Sequence, residues 1–188
     1  MDDYTNDDKL FLLSLARKTI EKGAKFISPD ESEKKNLDKK FMEKRGGFVS
    51  LHKKGNLRGC IGYILPVYTL YQTVTENAFN AAYKDPRFSP VTKDEVKDLV
   101  IEISILTIPV KLNYKDSNDL LEKLNPLIDG VIIKKGFSQA TFLPQVWEEL
   151  SDKEEFLCHL CLKAGLSSGE WKKGTLDFEI YNAIVFSE

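Results

Sequence analysis

The segment Leu57–Gly62 places a guanidinium and a thiol two positions apart, each beside a glycine, in a run typical of a β-strand. An arginine close to a cysteine can favour the thiolate, the form that acts as a nucleophile. Glycines where side chains would otherwise pack allow another group to approach the backbone closely. We therefore take Arg58 and Cys60 as candidate catalytic residues, and Gly59 and Gly62 as candidate ligand-binding residues.

Cys60 also has a purely structural interpretation. Free cysteine is among the most buried residue types and often packs as a small hydrophobic side chain. No histidine is adjacent in the sequence to act as a base, since His52 lies on the preceding strand and His159 lies far along the chain. Both interpretations stay open, and packing is the commoner of the two.

Arg58 stands in the middle of a predicted strand, where a charge needs a partner if its face of the sheet is covered. Glu102 stands in the comparably apolar strand 101–105. We expect Arg58 and Glu102 to face each other across the sheet and to line one pocket with Cys60 and Ser104. Glu102 is then a third candidate catalytic residue and Ser104 a candidate ligand-binding residue. The alternative is two independent charges that face solvent.

Two further polar residues are candidates for ligand binding. Arg87 follows an Asp-Pro step and could present its guanidinium to an anionic ligand. Alternatively, Asp85 caps a neighbouring backbone group and Phe88 anchors the loop in the core. Gln145 could reach a ligand from a second segment, in which Trp147 is expected to belong to the core.

Cys158, His159 and Cys161 resemble a metal-binding or redox motif, but their context favours a different interpretation. A zinc site normally needs a second pair of ligands at matching spacing, and the sequence has none nearby. The segment reads as an amphipathic helix with Cys161 on its apolar side and His159 on its exposed side. We therefore predict no metal site.

The hairpin that carries Cys60 decides which side chains share a face. A three-residue loop, Lys53–Gly55, with glycine in the left-handed position fits the sequence. That loop places Arg58 and Cys60 on the same face as Ser50. A two-residue turn at the last two loop positions would shift the pairing and set Cys60 opposite Val49. We predict the three-residue loop.

The remaining pattern predicts an α+β fold, with an antiparallel or mixed β-sheet flanked by helices. The first helix is expected to be capped by Thr5 or Asn6 and closed by Gly23. Pro66 suits the first turn of the helix that follows the hairpin. Residues 28–45 are rich in charge and are predicted to form a solvated connector with a short helix.

Composition limits the class of protein. A chain of 188 residues suits one domain, or one domain with two lobes. Its net charge of −2 disfavours a nucleic-acid or membrane-surface binder. Three cysteines fit a reducing compartment, and no apolar run reaches the roughly 20 residues needed to span a bilayer. We expect a cytoplasmic protein.

Leu57–Gly62 resembles the hallmark segment of the AMMECR domain, whose prokaryotic members are called AmmeMemoRadiSam system protein A. Further segments resemble the same family, in the family's order and over nearly the whole chain. They are Asp85–Pro90, Ile101–Ser104, Ala140–Trp147, Phe156-Leu157, Leu160-Cys161 and Lys163–Leu166. Cys158 and His159 lie outside this pattern. Tyr63 stands where many members of the family have a small residue, so the rim of the pocket is expected to differ in this chain.

The resemblance implies a single AMMECR-like domain over residues 1–188, with a larger and a smaller lobe and a cleft near the hallmark segment. It implies a Memo-like protein and a radical SAM protein as partners, and leaves room for a small ligand. It supplies no established activity. The sequence carries no iron–sulfur or SAM-binding motif and we assign it no cofactor, so such cofactors would belong to a partner.

Two functions follow as expectations. In the first, the chain is a non-catalytic accessory protein that works with those partners, with Arg58 and Arg87 binding a ligand while Cys60 packs. In the second, it is an enzyme in which Cys60 is the nucleophile or proton carrier, assisted by Arg58 and Glu102. The first is preferred because no acid–base residues surround the thiol in the sequence. Nucleic-acid binding is disfavoured by the net charge.

Overall fold

A computed structural model describes residues 4–23 and 37–188, which fall into two compact units. The first unit comprises the described residues up to Ile108 together with Ile184–Glu188, and the second comprises Pro109–Ala183. Residues 28–36 of the predicted connector lie outside the described residues. Its last part forms a short 3₁₀ helix, Lys39–Met42, whose Phe41 side chain is buried.

The described residues form four α-helices, four 3₁₀ helices and eight strands. The α-helices are α1 (Asn6–Lys22), α2 (Leu70–Tyr83), α3 (Ser117–Lys123) and α4 (Lys153–Lys163). The strands are β1 (Gly47–Lys53), β2 (Asn56–Tyr63), β3 (Leu99–Leu106), β4 (Val110–Lys111), β5 (Gly130–Lys135), β6 (Ser138–Phe142), β7 (Asp177–Tyr181) and β8 (Ala183–Ser187). The 3₁₀ helices are Lys39–Met42, Val96–Asp98, Pro144–Glu148 and Glu170–Lys173. The sheets have strand orders β2-β1-β3-β8 and β4-β7-β5-β6.

The ends of α1 follow the predicted capping rules. The Thr5 hydroxyl accepts a hydrogen bond from the backbone N–H of Asp8, whose carboxylate accepts one from the N–H of Thr5. Gly23 closes the helix with φ of 59°, in the left-handed region where glycine is favoured. The prediction that α1 begins after Thr5 and ends at Gly23 is confirmed.

One face of the first sheet forms the core of the first unit. Val49 and Leu51 of β1, and Ile101 and Ile103 of β3, are almost fully buried on this face. The helices α1 and α2 pack against each other, and α2 packs on β1 and β2. Because side chains alternate along a strand, the residues between these positions lie on the opposite face of the sheet.

The hairpin turn differs from the prediction. Lys53 pairs with Asn56, so the turn has two central residues, Lys54 and Gly55, and both have positive φ. This is the backbone that two-residue hairpin turns require. The register then shifts at a bulge, and Cys60 pairs with Ser50 rather than with Val49.

The bulge explains why the predicted face is right for Cys60 although the predicted loop is wrong. His52 pairs with Leu57 and Leu51 pairs with Gly59, which leaves Arg58 as the additional residue of β2. With a two-residue turn and no bulge, Cys60 would pair with Val49 and lie on the core face. The extra residue shifts the later positions of β2 by one, so that Cys60 pairs with Ser50 on the opposite face. Cys60 therefore lies on the face opposite the core. Arg58 is the bulged residue, so the alternation of side chains between the two faces does not predict its direction.

The helix after the hairpin begins later than Pro66. A capping box at Thr69 and Gln72 starts α2, so Pro66 belongs to the loop before the helix. A Ser or Thr followed three residues later by Glu or Gln is the usual sequence signal for such a start. The prediction from Pro66 places the start of the helix too early.

The second unit builds its core on the other sheet. Val131, Ile133 and Phe178 are fully buried and pack with Trp147 and Trp171. In α4, within the same unit, the thiol of Cys161 is buried and His159 is exposed, which confirms the prediction for that helix. The prediction for Trp147 is confirmed too.

The predicted fold class is confirmed, because two antiparallel sheets and their helices make the chain α+β. Within residues 4–23 and 37–188, no helix is long and apolar enough to cross a membrane.

Candidate functional site

Three candidate side chains lie in one row across the first sheet. Ser50 of the central strand β1 pairs with Cys60 of β2 on one side and with Glu102 of β3 on the other. All three are partly exposed. The neighbouring row consists of Gly62, Phe48 and Ser104.

The Cys60 thiol has a close polar neighbour on the central strand. The Ser50 hydroxyl donates a hydrogen bond to the Cys60 sulfur over 3.2 Å. A hydroxyl can stabilise a thiolate by donating to it, but at ordinary pH it does not remove a proton as a histidine or carboxylate would. No local sequence pattern indicates this contact, because Ser50 and Cys60 meet only through the register of the hairpin.

The outer edge of β2 at Cys60 is closed by the Asp85–Arg87 turn. The backbone N–H of Cys60 donates to the Asp85 carboxylate over 2.8 Å, and the Arg87 guanidinium donates to the Cys60 carbonyl over 3.0 Å. Both backbone groups of Cys60 that point away from β1 are therefore satisfied. An edge strand otherwise exposes such groups to pairing with other chains.

Asp85 is buried and holds this turn together. Its carboxylate accepts three hydrogen bonds from Arg87, one from the backbone N–H and two from the guanidinium, at 2.7–3.1 Å. Hydrogen bonding by Arg87, opposed by burial and aided by the Cys60 N–H, holds the pKa of Asp85 well below its usual range. The predicted capping role of Asp85 is confirmed.

Arg87 is the guanidinium that contacts the Cys60 segment. Its pKa is raised mainly by the hydrogen bond to Asp85, and its interaction with the Cys60 thiol adds to the increase. The side chain remains about half exposed. Arg87 thus combines a structural ion pair with a position beside the thiol, while its role in ligand binding stays a prediction.

The partner of Arg58 is Glu95, and the expectation that Arg58 faces Glu102 is wrong. The Arg58 Nε and Nη2 groups donate to the two carboxylate oxygens of Glu95 over 3.3 and 3.2 Å. The bulge in β2 takes Arg58 out of the row that contains Glu102. The Nη1 group of Arg58 is buried without a hydrogen-bond partner in the described part of the chain.

Glu95 is the functional-site neighbour that sequence reasoning missed. It also accepts hydrogen bonds from the Lys53 ammonium over 2.9 Å and from the Thr92 backbone N–H over 3.0 Å. The Thr92 hydrogen bond, followed by those from Lys53 and Arg58, lowers the pKa of Glu95 well below its usual range. The spacing Thr92-x-x-Glu95 is a capping-box pattern, which could have indicated that Glu95 turns back toward its own chain.

Protein groups approach both glycines of the segment. A Cβ atom at Gly59 would lie 2.1 Å from the Ala81 carbonyl oxygen of α2, and one at Gly62 would lie 2.2 Å from the Phe48 ring. The close approach inferred from the sequence therefore exists within the first unit, at α2 and at Phe48. Direct ligand contacts of Gly59 and Gly62 stay predictions.

The remaining candidates are placed as follows. Ser104 is buried in β3, opposite Phe48 of β1. Gln145 is exposed in the Pro144–Glu148 turn of the second unit. Ligand binding by Ser104 and Gln145 stays a prediction. Within the described ranges, no three histidine, cysteine, aspartate or glutamate side chains converge in a way that could hold a metal ion.

Comparison with known proteins places the chain in a family. The AMMECR1 family model matches residues 13–186. The chain belongs to the AMMECR1 family. This match confirms the resemblance to the AMMECR domain that Leu57–Gly62 indicates, and it extends over almost the whole chain.

Individual proteins resemble the chain over most of its length. A protein of Methanothermobacter thermautotrophicus is 42% identical over 167 residues, which cover 86% of this chain and 84% of the relative. Protein MJ0810 of Methanocaldococcus jannaschii is 38% identical over 187 residues, covering 98% of this chain and 92% of the relative. The crystal structure of the uncharacterized protein PH0010 from Pyrococcus horikoshii matches with a TM-score of 0.81 and 36% identity. That match covers 95% of this chain and 90% of PH0010.

Proposed function

We propose that this AMMECR1-family chain is a non-catalytic accessory protein that binds a partner through the region of Leu57–Gly62. The binding surface is the sheet face on which Cys60, Ser50 and Glu102 form a row. The observation that carries the proposal is the engagement of both nearby arginines in ion pairs within the chain. Arg58 is held by Glu95 and Arg87 is held by Asp85.

These ion pairs change what the site can do chemically. A nucleophilic cysteine needs a base, or a cation that is available to stabilise its thiolate. The Ser50 hydroxyl donates to the Cys60 sulfur and the Arg87 guanidinium donates to the Cys60 carbonyl, and neither group is a general base at neutral pH. The arrangement favours a preformed surface over an acid–base centre.

The proposed partners are a Memo-like protein and a radical SAM protein. The surface suits a protein partner because its three row residues are partly exposed and combine a carboxylate, a hydroxyl and a thiol. Interfaces between separately folded proteins are commonly this polar at their rims. Any iron–sulfur cluster or SAM would be carried by the partner.

The test is copurification of this chain with each of the two proteins from the same organism, at micromolar concentration. Glu102→Lys reverses the charge on the proposed face and should abolish the complex, while Arg87→Ala should weaken it. Glu148→Lys, at an exposed position of the second unit, is the matched control and should bind as the wild type does. Circular dichroism must show that each variant is folded. Absence of a complex with either protein, or full binding by Glu102→Lys, would contradict the proposal.

A second candidate function is an enzyme that uses Cys60 as its nucleophile or proton carrier. The 3.2 Å hydrogen bond from Ser50 and the nearby Arg87 favour it, since both groups can stabilise a thiolate. Glu102 would act as an acid or base from the far side of Ser50. In this function, Arg58 positions the strand through Glu95 rather than acting on the thiol.

A further inference from the structure

The C-terminal ends of α1 and α2 line an open cavity of about 710 Å³ in the first unit. This volume is within the range of roughly 300–1,000 Å³ that is typical of small-molecule sites. Both helices pack on the core side of the first sheet, whereas Cys60, Ser50 and Glu102 lie on the opposite face. The cavity is therefore separate from the candidate site described above.

The lining of the cavity includes two aromatic side chains. Phe79 and Tyr83 lie one helical turn apart on α2, and their ring centroids are 5.2 Å apart. The Tyr83 hydroxyl donates a hydrogen bond to the Ile20 carbonyl over 2.7 Å, so the polar end of this side chain is already satisfied. Val91 and Val96 add buried apolar surface to the lining. A flat apolar ring can therefore pack on this part of the cavity.

Exposed cations line the same cavity. Lys22, Lys84 and Lys93 belong to the lining, and its carboxylate is that of Glu21. None of the three lysines forms an ion pair or a side-chain hydrogen bond within residues 4–23 and 37–188. Three lysines against one glutamate leave two positive charges in excess, although the whole chain has a net charge of −2. An excess of one charge around a concave site raises the local concentration of the opposite ion.

Carbonyl groups at the ends of the two helices are already hydrogen-bonded. The Ile20 carbonyl of α1 accepts a hydrogen bond from the Gly23 N–H over 3.0 Å. The Asn80 carbonyl of α2 accepts one from the Lys84 N–H over 2.8 Å. Free carbonyls at a helix C-terminus carry partial negative charge and would oppose an anion. Hydrogen-bonded carbonyls oppose it less, and the lysines near the same helix ends offset what remains.

We propose that this cavity binds a small phosphate monoester that carries a flat apolar ring. The ring packs on Phe79 and Tyr83, and the phosphate interacts with the lysine ammonium groups. A phosphate monoester carries a charge of about −1.5 to −2 at pH 7, which matches the two positive charges in excess. This inference goes beyond the proposed function, because it assigns a second site, and its test involves neither Glu102 nor a partner protein.

The test is a titration of the full chain followed by amide NMR spectra, in about 0.15 M salt to screen distant charges. The probes are 2-naphthyl phosphate, the neutral 2-naphthol, inorganic phosphate and the carboxylate 2-naphthoate. We expect saturable shifts with 2-naphthyl phosphate at Gly23, Lys84 and Val91. Its affinity should be at least about tenfold above those of 2-naphthol and inorganic phosphate, and should also exceed that of 2-naphthoate, which has a smaller charge.

Three variants isolate the contributing groups. Lys84→Gln and Lys93→Gln each remove one exposed charge and should weaken binding of 2-naphthyl phosphate about two- to fivefold. Phe79→Leu keeps apolar area but removes a ring, and should weaken binding about two- to tenfold. Lys97→Gln is the matched control, because Lys97 is an exposed lysine of the Val96–Asp98 helix outside the lining, and it should leave binding unchanged.

Urea midpoints of unfolding show whether each variant keeps its fold, and the two exposed lysines test the inference even if Phe79→Leu is unstable. Absence of saturable binding by 2-naphthyl phosphate would overturn the inference. Equal affinity for 2-naphthol would remove the selection for an anion, and equal affinity for 2-naphthoate would remove the match to a phosphate. Shifts centred on Cys60 and Arg87, or equal weakening by Lys97→Gln, would place the anion outside this cavity.

Discussion

The Asp85 carboxylate accepts a hydrogen bond from the backbone N–H of Cys60 over 2.8 Å, and so joins the turn after α2 to the edge of the sheet. The same carboxylate binds the Arg87 guanidinium. Two segments that the family resemblance identified separately are therefore one structural unit. Substitutions in the turn should therefore alter the position of the backbone at Cys60.

Asp85→Asn should reduce the free energy of unfolding by about 2 kcal/mol, because hydrogen bonds to a charged group contribute about 1.5–3 kcal/mol. The measurement is urea unfolding of the full chain at pH 7, followed by far-UV circular dichroism. Asp94→Asn, at an exposed position in the following segment, is the control and should change little.

The pH dependence of Asp85→Asn should distinguish charge from shape. The folded-state pKa of Asp85 lies below that of the unfolded chain, which is about 3.9. Its contribution is therefore fully present well above pH 4 and is lost as the pH falls from there toward the folded pKa. The difference in stability between the wild type and the variant should be constant from pH 6 to 7 and shrink below about pH 4. A difference that stays constant into acid would exclude the carboxylate charge as its source.

Gly59→Ala should destabilise the chain by about 2 kcal/mol or more, as overpacking against a fixed backbone does. The new Cβ would lie 2.1 Å from the Ala81 carbonyl oxygen, which is part of α2 and cannot move independently. Urea unfolding is the measurement. Gly169→Ala is the matched control, because Gly169 has negative φ and no atom within 4 Å of its added Cβ. Equal effects of the two substitutions would contradict the packing explanation.

A double-mutant cycle should couple Arg58 to Glu95 and not to Glu102. We expect a coupling of about 1 kcal/mol between Arg58→Ala and Glu95→Ala, since the two side chains share two hydrogen bonds. For Arg58→Ala with Glu102→Ala, the effects on stability should add to within about 0.5 kcal/mol. The reverse pattern would mean that the bulge in β2 is absent in solution.

Cysteine alkylation, resolved by peptide mass spectrometry, should separate the two candidate functions. Cys161 should be labelled last in the native chain, because it is buried and burial raises the pKa of its thiol. If the accessory function holds, Cys60 should react within about tenfold of the partly exposed Cys158 at pH 6. A Cys60 rate far above that of Cys158 would favour the nucleophile, and labelling after unfolding provides the control for intrinsic reactivity.

Local rules predicted some elements well and others poorly. The ends of α1 at Thr5 and Gly23 follow from capping preferences that involve only neighbouring residues. Pro66 predicts a start for α2 that is too early, because the helix begins after the capping box formed by Thr69 and Gln72. Proline and the capping box are both short-range signals, and here the capping box determines where the helix begins.

The site depended on longer-range information. Two faults in the predicted hairpin, a turn one residue too long and the absence of a bulge, cancelled for Cys60 but not for Arg58. The Glu95 partner lies 37 positions from Arg58, and alternation along a strand says nothing about such a contact. The same bulge pairs Cys60 with Ser50 and leaves Arg58 unpaired, so it determines the neighbours of both residues.

The order of elements along the chain has a consequence for synthesis. Strand β8 joins the first sheet beside β3, yet it follows the whole second unit in the sequence. Arg17 of α1 likewise pairs with Glu188. Chains are made from the N-terminus, and their domains generally fold as they emerge. The first unit therefore lacks its fourth strand for as long as the second unit is being synthesised, which leaves β3 with an unpaired edge during that time.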